Sequence, residues 1–333
     1  MGIAAAGAGA ILPLSRLHVT ATVAIVAAAG LDLLTPEATG QGVIAVRAGA
    51  GLAKGVLVWL TIGLIARSPE PPRQSGLYLA AQTVAQLAVA TGLALVVVPL
   101  AGARGGFLAL AGVTAIGLAA LPWLPRRYRP LDDGAHGADG RIAASGAVAL
   151  AGVVAYLAFT VAVWVYVEPL AAERGVGGRA LAAIAPLSLA AQVVGAGVAT
   201  LLAGRWRAVP TLLATGGANL ILLAVMGTTA SAAAFLVATT VFGFLWLFAL
   251  PFQIASVIAA DPSRRAATLI GGAQLIGASA GPFLAATIVG KDTVQPVLWF
   301  GGACVVGSSL LTLWSIGRRS GSYLSSSNAK EAR

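Results

Sequence analysis

The sequence predicts an all-α membrane protein: a polytopic helical bundle of about ten full transmembrane helices in two pseudo-symmetric halves. Composition is the first observation behind this. Of the residues, 58% are hydrophobic and only 10% charged, and the mean hydropathy is +0.90. A soluble domain normally carries roughly a quarter charged residues, so this much apolar surface belongs in lipid. The second observation is the recurrence of apolar runs long enough to cross a hydrocarbon core of ~30 Å. The third is a loop-and-helix unit that repeats at an offset of 192 residues. Backbone groups in lipid must be satisfied internally, by helices or by a closed barrel. The runs are continuous in Ala, Leu, Gly and Val and do not alternate, which selects helix. Abundant glycine, 42 residues, then reads as close helix packing.

Taken in order, full spans are predicted at 17–34, 42–66, 76–100, 106–123, 145–168, 180–203, 209–227, 231–258, 267–289 and 297–316. A shorter apolar stretch, Met1 to Leu14, precedes them and ends at Pro13 and Arg16. It has no basic residue ahead of it, so it is a poor signal peptide and reads as the tail of a helix. The loops carrying Arg16, Arg67, Arg73, Arg126, Arg127, Arg129, Arg141, Arg205, Arg207, Arg264 and Arg265 fall on one side, with Arg318, Arg319, Lys330 and Arg333 of the tail. That side holds 15 of the 21 basic residues. The opposite loops hold Arg104, Arg174, Arg179 and Lys291. By the positive-inside rule the basic side, with the C-terminus, is cytoplasmic. The alternation holds through all ten spans. The expected division is an incomplete N-terminal bundle at 1–124, a cytoplasmic linker rich in Pro, Gly and charge at 125–141, a six-helix bundle at 142–317 and a tail at 318–333.

The repeat aligns IARSPEPPRQSGLYLAAQ, from Ile65, with IAADPSRRAATLIGGAQ, from Ile258. Arg73 falls on Arg265, Ala81-Gln82 on Ala273-Gln274, and Gly51 on Gly243. The offset spans six apolar segments and both loops are cytoplasmic. That is the pattern of parallel repeats related by an axis along the membrane normal.

These residues resemble the major facilitator superfamily of twelve-helix transporters. RAGAG, Arg47 to Gly51, resembles its arginine-x-x-x-glycine pattern in the fourth helix. SPEPPR and ADPSRR resemble its fourth-to-fifth and tenth-to-eleventh connections. GGAQLIGASAGP, Gly271 to Pro282, resembles its glycine-rich Gly-Pro segment, in the eleventh helix and not the fifth. LPWLPRR, Leu121 to Arg127, resembles the entry to its central loop. The ten spans then match family helices three to twelve, which would leave the first helix and most of the second absent. The family's acidic motif would fall near GAILPLSRLH, where Gly9 and Arg16 stand without an aspartate. Gln82 to Pro99 lacks the Gly-Pro pair, which weighs against proton antiport. GRWR, Gly204 to Arg207, is a degenerate basic loop. The resemblance implies alternating access, with the two bundles rocking about a midplane site.

Candidate site residues follow from polarity inside spans. Arg47 and Lys54, seven residues apart, share one helical face. A bare cation at the bilayer centre costs ~3 kcal/mol or more and is usually functional. Together they suggest attraction for an anionic group; the bland alternative for Arg47 is snorkelling near the outer end. Glu168, before Pro169, is a candidate coupling carboxylate or a helix-end feature, and Asp32 a weaker one of the same kind. Gln82 and Gln86 share a face, and Gln274 is the repeat partner of Gln82. Trp164, Tyr166, Gln192, Trp246, Phe252 and Gln253 are weaker candidates to line a cavity.

The expected function is secondary active transport of a small organic solute, anionic or drug-like, across a bacterial plasma membrane. Abundant Ala, Gly and Arg with little Lys is the usage of a GC-rich bacterial genome. The expected partners are the solute, the lipid bilayer and, as a candidate coupling ion, protons, for a monomeric protein. The net charge of +10 is spread over short loops, so nucleic acid is not an expected partner. Two histidines and the single Cys304 offer no disulfide framework, metal spacing or cofactor motif. No cluster of catalytic side chains is visible, so the chain is not expected to be an enzyme. The alternatives are a truncated or non-transporting relative, and a ten-helix drug/metabolite-type transporter, against which the repeat spacing argues.

Overall fold

The structure is a computed structural model that describes residues 16–129, 142–290 and 292–331, with side chains except at 94, 95 and 316–331. The apolar stretch up to Leu14 and most of the predicted linker lie outside the described residues. In chain order the helices are α1 (Leu17–Leu34), α2 (Gln41–Ala66), α3 (Pro71–Gly92), α4 (Val98–Ile116), α5 (Ala144–Glu173), α6 (Gly178–Leu202), α7 (Ala208–Thr228), α8 (Ala232–Ala260), α9 (Arg265–Thr268), α10 (Ile270–Ile288) and α11 (Pro296–Glu331). Among the described residues there are no strands. Among the described residues, eight helical segments are long and apolar enough to cross a membrane, so the chain is a multi-pass membrane protein. The remaining two predicted spans are α3 and α10, which are helical but richer in polar and glycine residues.

Several boundaries depart from the periodicity. Helix α5 runs through Pro169 to Glu173, because Leu170 and Ala171 are fully buried and packing holds the turn that proline would end. Thus Glu168 sits within a helix and not at its end. The span predicted at 267–289 is divided at Leu269 into α9 and α10. A π-helical turn, Leu93–Val97, leads from α3 into α4. The chain reverses inside α4 at Gly102, whose φ of 61° suits a residue without a Cβ. Helix α11 continues past its predicted span to Glu331.

The described residues fall into two compact units. The first takes the described parts of Met1–Arg67 and Val84–Pro130. Here α1 packs against α2 and α4. Its buried stripe is Leu17, Thr20, Ala21, Ala24, Ile25, Ala28 and Asp32, while Val19, Val23 and Val26 are exposed. A stripe in which small residues predominate faces inward, with valines outward, the pattern of helices that pack closely in lipid. The chain after Trp123 closes this unit. Tyr128 donates to the Leu60 carbonyl at 3.0 Å, lies edge-on to Trp59, and carries the Arg67 guanidinium 4.3 Å above its ring. Leu17 N–H donates to the Arg126 carbonyl at 3.1 Å. Burial pushes the Tyr128 phenol up from its ordinary range, partly countered by Arg67. Gly63 must be glycine, since a Cβ would strike the Tyr128 ring and hydroxyl.

The second unit takes Ser68–Thr83 and the described part of Leu131–Arg333. Helix α5 packs against α10 and α11, and α8 packs against α6 and α7. Glycines set the closest crossings. A Cβ at Gly277 or Gly281 would run into the Val154 or Ala158 carbonyl oxygen, and one at Gly195 into that of Phe244. The glycine-rich segment read from the sequence is therefore the α10 face that meets α5. The ADPSRR loop is a cap: buried Asp261 accepts from Ser263 N and Oγ at 3.2 and 2.6 Å and from Ala266 N at 2.9 Å.

Candidate functional site

Near the end of α1, an otherwise apolar helix, stands Asp32, with no accessible surface. A buried carboxylate is costly unless it is paired and hydrogen-bonded. Both partners come from α2. Arg47 donates from Nη1 to Asp32 Oδ1 at 2.9 Å, and Lys54 donates from Nζ to Oδ1 at 3.0 Å and to Oδ2 at 2.8 Å. The seven-residue spacing of the two cations puts both on the face that meets α1. Small residues let the helices approach there: Ala50 is buried, and a Cβ at Gly49 would stand 3.2 Å from Leu31 Cδ1. The Arg47 guanidinium also lies 5.5 Å from the centre of the Phe107 ring on α4.

Charge and exposure in the cluster are uneven. Asp32 is sealed, whereas the side chains of Lys54 and Arg47 are 24% and 43% exposed. One carboxylate faces two cations, so one positive charge is uncompensated. Arg47 has five N–H donors and spends one on Asp32. The rest form a planar fork suited to a carboxylate or phosphate. Chemically the cluster can attract and orient an anion. The sequence ranks Asp32 below Glu168; the structure makes it the centre of the cluster. The available signal was a lone aspartate in the last turn of an apolar run, followed by two in-span cations.

The other candidates lie elsewhere. Gln82, Gln86 and Glu168 are exposed and Gln274 is half-buried. In the second unit Trp164 and Trp246 meet edge-on at 6.2 Å, joined by Phe242 at 6.3 Å from Trp246; Tyr166 is half-buried. Gln192 and Phe252 are buried, Phe252 within an apolar cluster with Ala199 and Phe248. Gln253 is buried and its Oε1 has no hydrogen-bond partner. It lines a polar cavity of about 20 Å³ with Tyr156, Ser256, Ser308, Ser309 and Thr312, room for one water. Among the described residues, no group of three His, Cys, Asp or Glu side chains gathers as a metal site.

No protein-family model matches the chain, and no curated protein matches it by sequence. Solved structures do match. The FucP transporter of the major facilitator superfamily, crystallised in the outward conformation, superposes with a TM-score of 0.73 at 13% identity, over 94% of this chain and 86% of that one. The chain has the major facilitator fold. A variant of the E. coli fucose:proton symporter FucP gives 0.70 at 14% identity, over 94% and 87%. The human organic anion transporter MFSD10 gives 0.68 at 16%, over 95% and 79%. In the major facilitator fold, then, the Asp32 cluster joins the first two full spans of this chain.

Proposed function

We propose that this chain is a secondary active transporter that moves a small organic anion across the membrane by alternating access. The observation that carries the reading is the convergence of Arg47 and Lys54 on buried Asp32, which leaves one positive charge partly exposed among apolar helices. Ionic groups inside membrane spans are expensive and mark solute or ion pathways. The fold supports transport as the general activity. One structural neighbour is a fucose:proton symporter and another an organic anion transporter, which supports a small solute with protons as the driving ion. Loop charge supports a plasma-membrane location with the C-terminus in the cytoplasm.

The test is solute accumulation by proteoliposomes holding the purified chain, with and without an imposed pH gradient, over a panel of radiolabelled organic acids, amides and sugars. At least one acid is expected to accumulate. Arg47→Gln is expected to lower that uptake tenfold or more while the protein still purifies as a monodisperse species. Accumulation of neutral solutes alone, untouched by Arg47→Gln, would sink the anion reading.

A further inference from the structure

We infer that the Asp32–Arg47–Lys54 cluster selects its solute by valence, favouring monoanions over dianions and neutral molecules. This rests on the proposed transport of an organic anion and names the class within it. The charges gathered at the site set this preference. Asp32 engages both cations, with Oδ1 taken by Arg47 at 2.9 Å and Lys54 at 3.0 Å and Oδ2 by Lys54 at 2.8 Å. One carboxylate cancels one of the two cations. Elsewhere in this unit, Glu37 and Arg104 pair with each other at 2.9 Å, both well exposed, and leave the count unchanged. Arg67 caps the far end of α2, 13 residues beyond Lys54 and roughly 20 Å along the axis. The site therefore holds one net positive charge.

Around sealed Asp32 and the largely buried Lys54, uncompensated charge of either sign is unfavourable. A monoanion brings the site to neutrality. A dianion of the same size leaves one excess negative charge, and a neutral analogue leaves the excess positive charge. The division of labour follows from donors and exposure. Lys54 spends two contacts on Asp32 and is the less exposed cation. Arg47 makes one contact, stands 43% exposed over Phe107, and presents its spare fork to the solute. Arg47 is the binding cation; Lys54 and Asp32 set the charge against which it works. Asp32 is thus a specificity-determining residue without touching the solute.

The test uses the purified protein and three matched series: butyrate, succinate and butyramide; benzoate, terephthalate and benzamide; and lactate, malate and lactamide. Binding is followed by thermal shift and by isothermal titration. In the native protein the monoanion of any series that binds is expected to bind at least tenfold more tightly than its dianion and its amide. Asp32→Asn raises the site to two positive charges and is expected to move the monoanion-to-dianion ratio at least tenfold toward the dianion. Arg47→Gln brings the site to neutrality and is expected to abolish the preference for monoanion over amide. Arg47→Lys keeps the charge, so it should weaken binding but preserve the ranking, which loss of structure alone would not do. If Asp32→Asn does not fold, the native ranking and the two Arg47 variants still decide. Equal binding of monoanion and dianion by the native protein would overturn the valence rule and leave anion transport standing. Binding by no member of the three series would overturn the anion reading itself.

Discussion

The two units handle polar groups inside apolar helices in opposite ways. In the first, Asp32, Arg47 and Lys54 are ionic and meet one another, and the cations are partly exposed. In the second, buried hydroxyls inside the helices turn to the backbone, while Gln253 keeps an Oε1 without a hydrogen-bond partner. Tyr156 donates to the Leu245 carbonyl at 3.1 Å, Ser188 to Thr239 at 3.0 Å, and Ser308 to Gly152 at 2.8 Å. A hydroxyl bonded to a neighbouring helix fastens the pair and asks for nothing further. An ion cluster with unequal charges does not close on itself. Polarity in a membrane bundle is not one signal: neutral donors that find carbonyls fasten helices together, whereas the ions around Asp32 are unequal in number and the cations stay partly exposed.

Asp32→Ala strikes the ionic cluster most heavily. Removing one partner of a buried pair costs about 3–5 kcal/mol, because the charge left behind is uncompensated. Here two cations would be left, of which Lys54 is the less exposed. A large fall in melting temperature in detergent is expected, with much of it restored by combining Asp32→Asn with Lys54→Gln. If Asp32→Ala melts like the native chain, the three ions do not depend on one another and the contrast fails.

Gly281→Val applies a comparable insult to the second unit by purely steric means. A Cβ at Gly281 would strike the Ala158 carbonyl oxygen and Cα, both backbone atoms that cannot rotate away. Overpacking of this kind typically costs about 1–3 kcal/mol. The melting temperature should fall, while the ranking of monoanion over dianion and amide stays as in the native protein. A changed ranking would mean that the α5–α10 crossing does more than hold the unit together.

Much of this was legible in the residues. Long apolar runs gave the helices, and the spacing of Arg47 and Lys54 gave their shared face. The partner of those cations was harder to read. Asp32 lies 15 and 22 residues before them, on a different helix. Periodicity reports which face a residue occupies but not which helix that face meets. Glu168 looked like a helix end because proline disfavours a continuing turn, yet the burial of Leu170 and Ala171 carries α5 onward. The anchoring of Tyr128 on Leu60 and Arg67 was hidden for a related reason. A segment of Pro, Arg and Tyr reads as linker until the ring finds the space left by Gly63.

A single neutral hydroxyl can be removed from the second unit while the shape of the bundle is left alone. Tyr156→Phe removes one hydroxyl that donates to the Leu245 carbonyl and borders the polar cavity near Gln253. The ring keeps its edge-on contact with Phe159 at 5.8 Å between centroids, so packing is retained. A neutral buried hydrogen bond of this kind contributes about 1 kcal/mol, and a modest drop in melting temperature is the expected readout. Anion binding should be unchanged, since no ion is added or lost. A tenfold change in monoanion affinity with Tyr156→Phe would show that a neutral hydroxyl in the second unit serves the solute. Surplus charge would then no longer separate a site from a fastening.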